Sequence, residues 1–216
     1  EATCITWPEN AKSAFTYAAN GWASLLQSTV PIAIEACWAN NLEAGVLGQA
    51  GPAIFFRNLS NLPAANTWYP VALARALEGQ SNLLNYTGPD IQAAFSSTFN
   101  WYFGTDGNPG TRVDFASVVL HEIGHGLGFL GFMNVSSGVG SWGLSGSPAA
   151  WDRFTENGAG QSLINTALFP NPSAALATQL QGGSVFFDGA NATPANGGSR
   201  VPLYAPATWN DGSSYS

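Results

Sequence analysis

Two histidines and a glutamate form the pattern H-E-x-x-H at His121, Glu122 and His125. On a helix, residues four apart lie one above the other, so both imidazoles can bind one metal ion from a single face. Zinc suits such imidazole ligands, and it lowers the pKa of a bound water towards ~7. Glu122 lies beside His121 and can take the proton of that water, which makes it the candidate catalytic base. The alternative is a chance match in which the only two histidines of the chain are merely packed.

A helix has to carry this pattern, and the segment 114–129 has the features of one. Asp114 occupies a favourable N-cap position, and glycines at Gly126 and Gly128 predict close packing and a helix end at one of them. The apolar face of the predicted helix consists of Phe115, Val118, Val119 and Ile123.

Other short elements surround this helix in the sequence. Apolar periodicity and turn residues predict helices at Glu9–Ser28, Tyr69–Glu78, Pro148–Thr155 and Pro172–Gln181. The same signals predict strands at Val30–Ala36, Ala53–Arg57, within Asp90–Phe103 and at Ser184–Phe187. We expect an α+β fold in which residues 1–216 form a single domain, with an N-terminal subdomain of about 1–130 and a loop-rich, irregular C-terminal subdomain of about 131–216.

Two histidines do not complete a catalytic zinc site, which normally has three protein ligands and a water. The chain contains no third histidine, so an internal third ligand must be a carboxylate. Asp152 and Glu156 are the candidates, because a spacing of four residues puts both on one face of a short helix. The alternative is an ordinary solvated face with Arg153 nearby, and the sequence leaves both interpretations open.

The segment His-Glu-Ile-Gly-His-Gly-Leu-Gly-Phe at 121–129 resembles the active-site helix of leishmanolysin-type metzincins and related secreted bacterial metallopeptidases. Segments at 100–107, 151–154 and 201–206 are also similar to those bacterial sequences. The resemblance implies a zincin-like architecture, with a mixed sheet packed on a backing helix and an active-site helix. It implies a secreted zinc-dependent metalloendopeptidase that hydrolyses peptide bonds, with Glu122 activating the metal-bound water. A substrate would lie extended along an edge strand, which maps onto Phe95–Phe103.

The chain departs from this family at the third ligand. Gly131 stands where the contiguous metzincin pattern has a histidine, and Met133 lies too close behind His125 for the methionine turn of the family. In the leishmanolysin type the third histidine follows a long insertion, and this chain stops at Ser216, where that histidine would come next. We therefore expect either a truncated chain or a site completed by an internal residue.

Composition limits the partners. The net charge is −7 and the six basic residues are scattered, which argues against binding to a phosphate backbone. No apolar run reaches the ~20 residues needed to cross a bilayer. We expect a monomer acting on a protein or peptide substrate, without nucleic acid and without a membrane span. The alternative function is an extracellular carbohydrate- or peptide-binding module, or an inactive fragment with a vestigial zincin helix.

The two cysteines, Cys4 and Cys37, indicate the compartment. A bond between them would close a loop of about 33 residues and contribute about 3.7 kcal/mol by the chain-entropy relation. Two buried free thiols are the alternative. A disulfide favours a secreted protein, extracellular or in a bacterial periplasm. A glycine-rich turn with Asp106 and Asn108 is either a calcium site or a plain turn.

Overall fold

The computed structural model describes residues 2–211 and 214–215. This part of the chain forms an α+β fold with five α-helices, one 3₁₀ helix and several small sheets, which confirms the predicted fold class. It forms two compact units. The first contains the chain up to Leu62 and Pro70–Gly128, and the second contains Pro63–Tyr69 and the chain from Phe129 onward. That residues 1–216 are a single domain stays a prediction.

The first unit contains three helices. Its elements are β1 (Cys4–Ile5), α1 (Glu9–Leu25), β2 (Ile34–Ala39), β3 (Gly48–Pro52), β4 (Phe55–Phe56), β5 (Tyr69–Pro70, at the boundary), α2 (Val71–Glu78), β6 (Ile91–Ser96), β7 (Trp101–Tyr102), β8 (Val113–Asp114) and α3 (Phe115–Leu127). Local signals account for both ends of α2. Pro70 precedes its first residue, and Gly79 ends it in the left-handed conformation at φ 67°.

A four-stranded mixed sheet organises this unit, in the order β1-β2-β6-β3. Strands β2 and β6 are parallel over six residue pairs, from Ile34 with Ile91 to Ala39 with Ser96. Strands β1 and β3 run antiparallel to their neighbours. The expectation of an edge strand at Phe95–Phe103 is therefore wrong for β6, which lies between β2 and β3, whereas β7 pairs only with β8 in a separate two-stranded sheet.

The sheet and the helices α1 and α3 share one hydrophobic core. Helix α1 contributes small residues at helical spacing, which allow close approach to its neighbours. They are Ala11, Ala14 and Ala18. Phe95 from β6 and Phe115 from α3 meet edge to face, with ring centroids 5.3 Å apart. A mixed sheet packed with two helices is thus present in the first unit.

A disulfide joins Cys4 and Cys37, which confirms the predicted bond. The two residues lie on the adjacent strands β1 and β2, with their Cα atoms 5.2 Å apart. The bond fastens the short outer strand to the sheet. A disulfide is compatible with an extracellular location, since such bonds persist in oxidising compartments.

The second unit is built from short elements around a smaller core. They are β9 (Asn134–Ser136), β10 (Val139–Ser141), a 3₁₀ helix (Trp151–Phe154), β11 (Thr155–Asn157), α4 (Ala174–Leu180), β12 (Val185–Phe187), α5 (Ala192–Ala195) and β13 (Val201–Leu203). Strands β11, β12 and β13 form an antiparallel sheet, and β9 and β10 form a hairpin. Leu163, Leu176 and Leu180 lie in its core together with Met133. Within residues 2–211 and 214–215, no helix is long and apolar enough to span a membrane.

Candidate functional site

Helix α3 brings His121 and His125 together, as their spacing predicted. Their Nε2 atoms are 2.9 Å apart, and the ring centroids are 4.5 Å apart with the planes nearly perpendicular. His121 is exposed and His125 is half-buried. The two ring nitrogens are therefore within hydrogen-bonding distance of each other, and an ion that replaces the shared proton can reach them from the exposed side of His121.

Glu122, the residue after His121, is turned about 100° around α3 from it and is only 8% exposed. Its carboxylate accepts a hydrogen bond from the backbone N–H of Ala50 in β3. Burial raises the pKa of Glu122, while a positive charge on His125 and the Ala50 hydrogen bond lower it. The sequence did not indicate the Ala50 contact, since no local pattern shows which residue of β3 faces α3. That Glu122 is a catalytic residue stays a prediction.

The environment of His121 favours its neutral form. Partial burial and the neighbouring His125 both lower the pKa of His121 below its ordinary value. A neutral imidazole can offer its Nε2 lone pair to a metal, whereas the protonated ring cannot. The pair is thus suited to metal binding at neutral pH.

Glycines determine where α3 lies against the sheet and where it stops. A side chain at Gly126 would overlap the buried Ile91 of β6, so the helix can approach the sheet only because this residue has no Cβ. Gly128 ends the helix at φ 117°, and its N–H bonds to the carbonyls of Gly124 and His125. The predicted helix end at Gly126 or Gly128 is confirmed at Gly128.

We expect Gly126→Ala to destabilise the protein by roughly 1–3 kcal/mol, because an overpacked core must shift to admit the methyl group. The matched control is Gly124→Ala in the same helix, where the new Cβ would lie at an ordinary 3.5 Å from Cζ2 of Trp22. That control should be neutral or up to about 1 kcal/mol more stable, since alanine favours helix. Urea unfolding of both variants measures the difference. Equal stabilities would contradict the packing explanation.

Asp152, a candidate third ligand, lies in the second unit and is completely buried. Its Oδ2 accepts the N–H of Ala149 at 2.7 Å, and its Oδ1 accepts the hydroxyl of Tyr215 at 2.8 Å. The N–H of Phe132 lies 3.1 Å from Oδ1. Burial raises the pKa of Asp152 to about 6, against these hydrogen bonds. The interpretation of Asp152 as part of a solvated face is therefore wrong. Both of its carboxylate oxygens accept hydrogen bonds from donors within the second unit.

Glu156, the other candidate, does not share a helix face with Asp152. The 3₁₀ helix ends at Phe154, and Glu156 lies in β11. Its carboxylate forms a salt bridge with Arg200, not with Arg153. The side chain of Arg153 instead donates to the hydroxyl of Thr67.

The glycine-rich turn is closed by its own hydrogen bonds. Asp106 accepts from the hydroxyl of Tyr102 and the N–H of Asn108, and both bonds lower the pKa of Asp106. Across residues 2–211 with 214–215, no group of three or more His, Cys, Asp or Glu side chains could hold a metal ion. The expected chain end at Ser216, with Gly212 and Ser213, falls outside the described residues.

Comparison with known proteins gives a family but no activity. A family model described as SPBPB7E8-like matches residues 7–136. A 62-residue stretch, 29% of this chain, is 42% identical to the uncharacterized protein PB7E8.01 of Schizosaccharomyces pombe. That stretch is only 11% of the relative's length, so the chain spans a small part of it. No solved structure matches.

These findings correct two predictions from the sequence. The assignment to leishmanolysin-type metzincins is wrong, because the family model that matches is SPBPB7E8-like and neither comparison indicates a metallopeptidase family. The function of zinc metalloendopeptidase is wrong on the same finding, and residues 2–211 and 214–215 contain no three-ligand group. A protein or peptide partner stays a prediction. The comparisons do not favour the alternative of a binding module or an inactive fragment either. Since the family match covers more than half of its 216 residues, the chain belongs to the SPBPB7E8-like family.

Proposed function

We propose that this protein binds a divalent transition-metal ion, with zinc as the first choice, through Nε2 of His121 and Nε2 of His125. The observation that carries the proposal is the 2.9 Å separation of these two atoms at the surface of α3. An ion about 2.0–2.1 Å from each nitrogen fits that separation, and a small rotation of either ring widens it towards the tetrahedral spacing.

Two imidazoles leave coordination positions open. Zinc is commonly four-coordinate, so water or an external ligand would occupy the remaining positions. Imidazole ligands also suit copper and nickel, and copper binds more tightly than zinc at equal concentrations. We therefore expect the site to prefer transition metals as a class and to bind them with only moderate affinity, since affinity grows with the number of protein ligands.

The proposal also includes the arrangement of the first unit and the secretion of the protein. The packing of α1 and α3 with the mixed sheet supports a zincin-like arrangement of the first unit, and the Cys4–Cys37 bond supports secretion. That the chain is an enzyme, that the Asp106–Asn108 turn binds calcium, that no nucleic acid is bound and that the chain is a monomer all stay predictions.

Isothermal titration of the metal-free protein with zinc at pH 7.5 tests the proposal. We expect one bound ion per chain in the wild type, and at least tenfold weaker binding in His121→Ala and in His125→Ala, because each removes one of two ligands. Binding should also weaken at pH 5.5, where protons compete for the imidazoles.

The matched control is Glu122→Gln, which keeps an acceptor for the N–H of Ala50 but removes the charge of a buried group next to His121. We expect its zinc affinity to fall by less than in either histidine variant, because Glu122 is not one of the two proposed ligands and only its charge, which interacts with His125, is lost. Zinc binding that is unchanged in both histidine variants would refute the proposal.

A further inference from the structure

A hydrogen bond from helix α1 reaches the turn of α3 that carries the histidine pair. Nε1 of Trp22 donates to the backbone carbonyl of Leu120 at 2.9 Å, across 98 residues of sequence. Leu120 immediately precedes His121. The bond therefore ties the backbone just before the first histidine to α1.

The indole also contacts the next turn of the helix. Gly124 stands four residues after Leu120, so the two share one face of α3. A Cβ at Gly124 would lie 3.5 Å from Cζ2 of Trp22, so the six-membered ring of the indole lies close to this residue. His121 and His125 each follow one of these two positions, so the indole contacts the same turn that carries both imidazoles.

From this contact we infer that Trp22 is a positioning residue for the histidine pair: its indole N–H holds the Leu120–Gly124 turn and thereby sets the separation of the two Nε2 atoms. Because His121 is exposed, packing constrains its ring little, and the backbone of its turn becomes the main constraint. The consequence for metal affinity rests on the proposed function, whereas the consequence for the geometry of the two rings does not.

The core offers a matched control. Trp101 also donates its indole N–H to a backbone carbonyl, that of Ser96, at 2.7 Å, and it lies in the same hydrophobic cluster. Replacing either tryptophan by phenylalanine removes one such hydrogen bond from the same core. Only the bond of Trp22 is made to α3 next to a histidine.

The metal-free protein supplies the first measurement. The chain has two histidines, so its proton NMR spectrum should contain two Hε1 signals, displaced by the ring current of perpendicular imidazoles. We expect Trp22→Phe to shift both signals and Trp101→Phe to leave them in place. The second measurement is zinc affinity, which should fall about two- to tenfold in Trp22→Phe, the equivalent of one neutral hydrogen bond, and less than twofold in Trp101→Phe.

Unchanged Hε1 signals in Trp22→Phe, or equal shifts in both variants, would overturn the inference. A wild type that binds no zinc would refute the proposed function instead, while the Hε1 signals would still decide the role of Trp22. If Trp22→Phe does not fold, β-(3-benzothienyl)alanine at position 22 keeps the two-ring shape and removes only the donor, with the same expected shifts.

Discussion

Replacing Asp90 by alanine is expected to lower the free energy of unfolding by about 3–5 kcal/mol, because it leaves a buried arginine without its counter-charge. Asp90 is 1% exposed and Arg75 is 5% exposed. Nη1 of Arg75 lies 2.9 Å from Oδ1 of Asp90, and the other oxygen, Oδ2, accepts the N–H of Ala33 at 2.7 Å. A single substitution therefore removes an ion pair and a backbone acceptor together.

The arginine is not released to solvent when its partner is lost. Its guanidinium also donates to the carbonyls of Tyr86 and Gly88 and lies 5.2 Å from the centre of the Tyr86 ring. These contacts hold the charge inside the first unit, where an unpaired ion is costly. The backbone of Asp90 adjoins two strands, since its N–H bonds to Ala33 just before β2 and its carbonyl accepts from Ala53 just after β3.

Urea unfolding of Asp90→Ala and Arg75→Met, singly and combined, tests this explanation. The double variant should lose less than the sum of the two single losses, because it leaves no orphaned charge. The control is Lys12→Ala, which breaks the exposed pair of Lys12 and Glu9 and should cost less than about 1 kcal/mol. Additive losses, or an Asp90→Ala variant as stable as Lys12→Ala, would contradict a stabilising buried pair.

The helices of the first unit were predictable because their signals are local. Each signal lies within or beside the helix that it defines. These signals are the apolar spacing that begins at Glu9 for α1, Pro70 and Gly79 at the two ends of α2, and Gly128 after α3. The order of the sheet was not predictable in this way. Placing β6 between β2 and β3 depends on contacts between distant segments, so the β6 part of Phe95–Phe103 was wrongly placed at an edge.

The candidate site, like the fold, was predictable only where its signals are local. A spacing of four residues on a helix is enough to bring His121 and His125 together. The burial of Arg75 also had a local sign, since it follows the buried Val71 by four residues in α2. No local signal indicated the burial of its partner Asp90 or the hydrogen-bond donors around Asp152. The sequence does not show which backbone N–H groups will surround a carboxylate in a loop.

Asp152→Asn is expected to remove a pH dependence from the stability of the protein. Burial raises the pKa of Asp152 to about 6 in the folded state, from its ordinary value of 3.8. A carboxyl whose folded pKa is raised takes up its proton more readily in the folded state. Its contribution is therefore most favourable below about pH 4 and is lost as the pH rises to 6, by about 3 kcal/mol in all.

Asparagine can replace the protonated acid because the surrounding groups can adapt to it. Its carbonyl oxygen can take the position of Oδ2 and accept the N–H of Ala149. Its amide can then donate to the hydroxyl oxygen of Tyr215, whose own proton turns to Oγ1 of Thr155, 3.1 Å away. The N–H of Phe132, 3.3 Å from Oδ2, can then donate to the same carbonyl oxygen instead of to Oδ1. The variant thus keeps an acceptor for each of these donors and has no charge to bury.

Urea unfolding of the wild type and of Asp152→Asn at pH 5, 6 and 7 measures this contribution as a difference, so that other titrating groups cancel. Relative to the variant, the wild type should gain about 1 kcal/mol on going from pH 7 to pH 5. Parallel pH profiles would mean that Asp152 titrates alike in the folded and unfolded chains. A gain of the opposite sign would mean that the donors from Ala149, Phe132 and Tyr215 stabilise the carboxylate more than burial destabilises it.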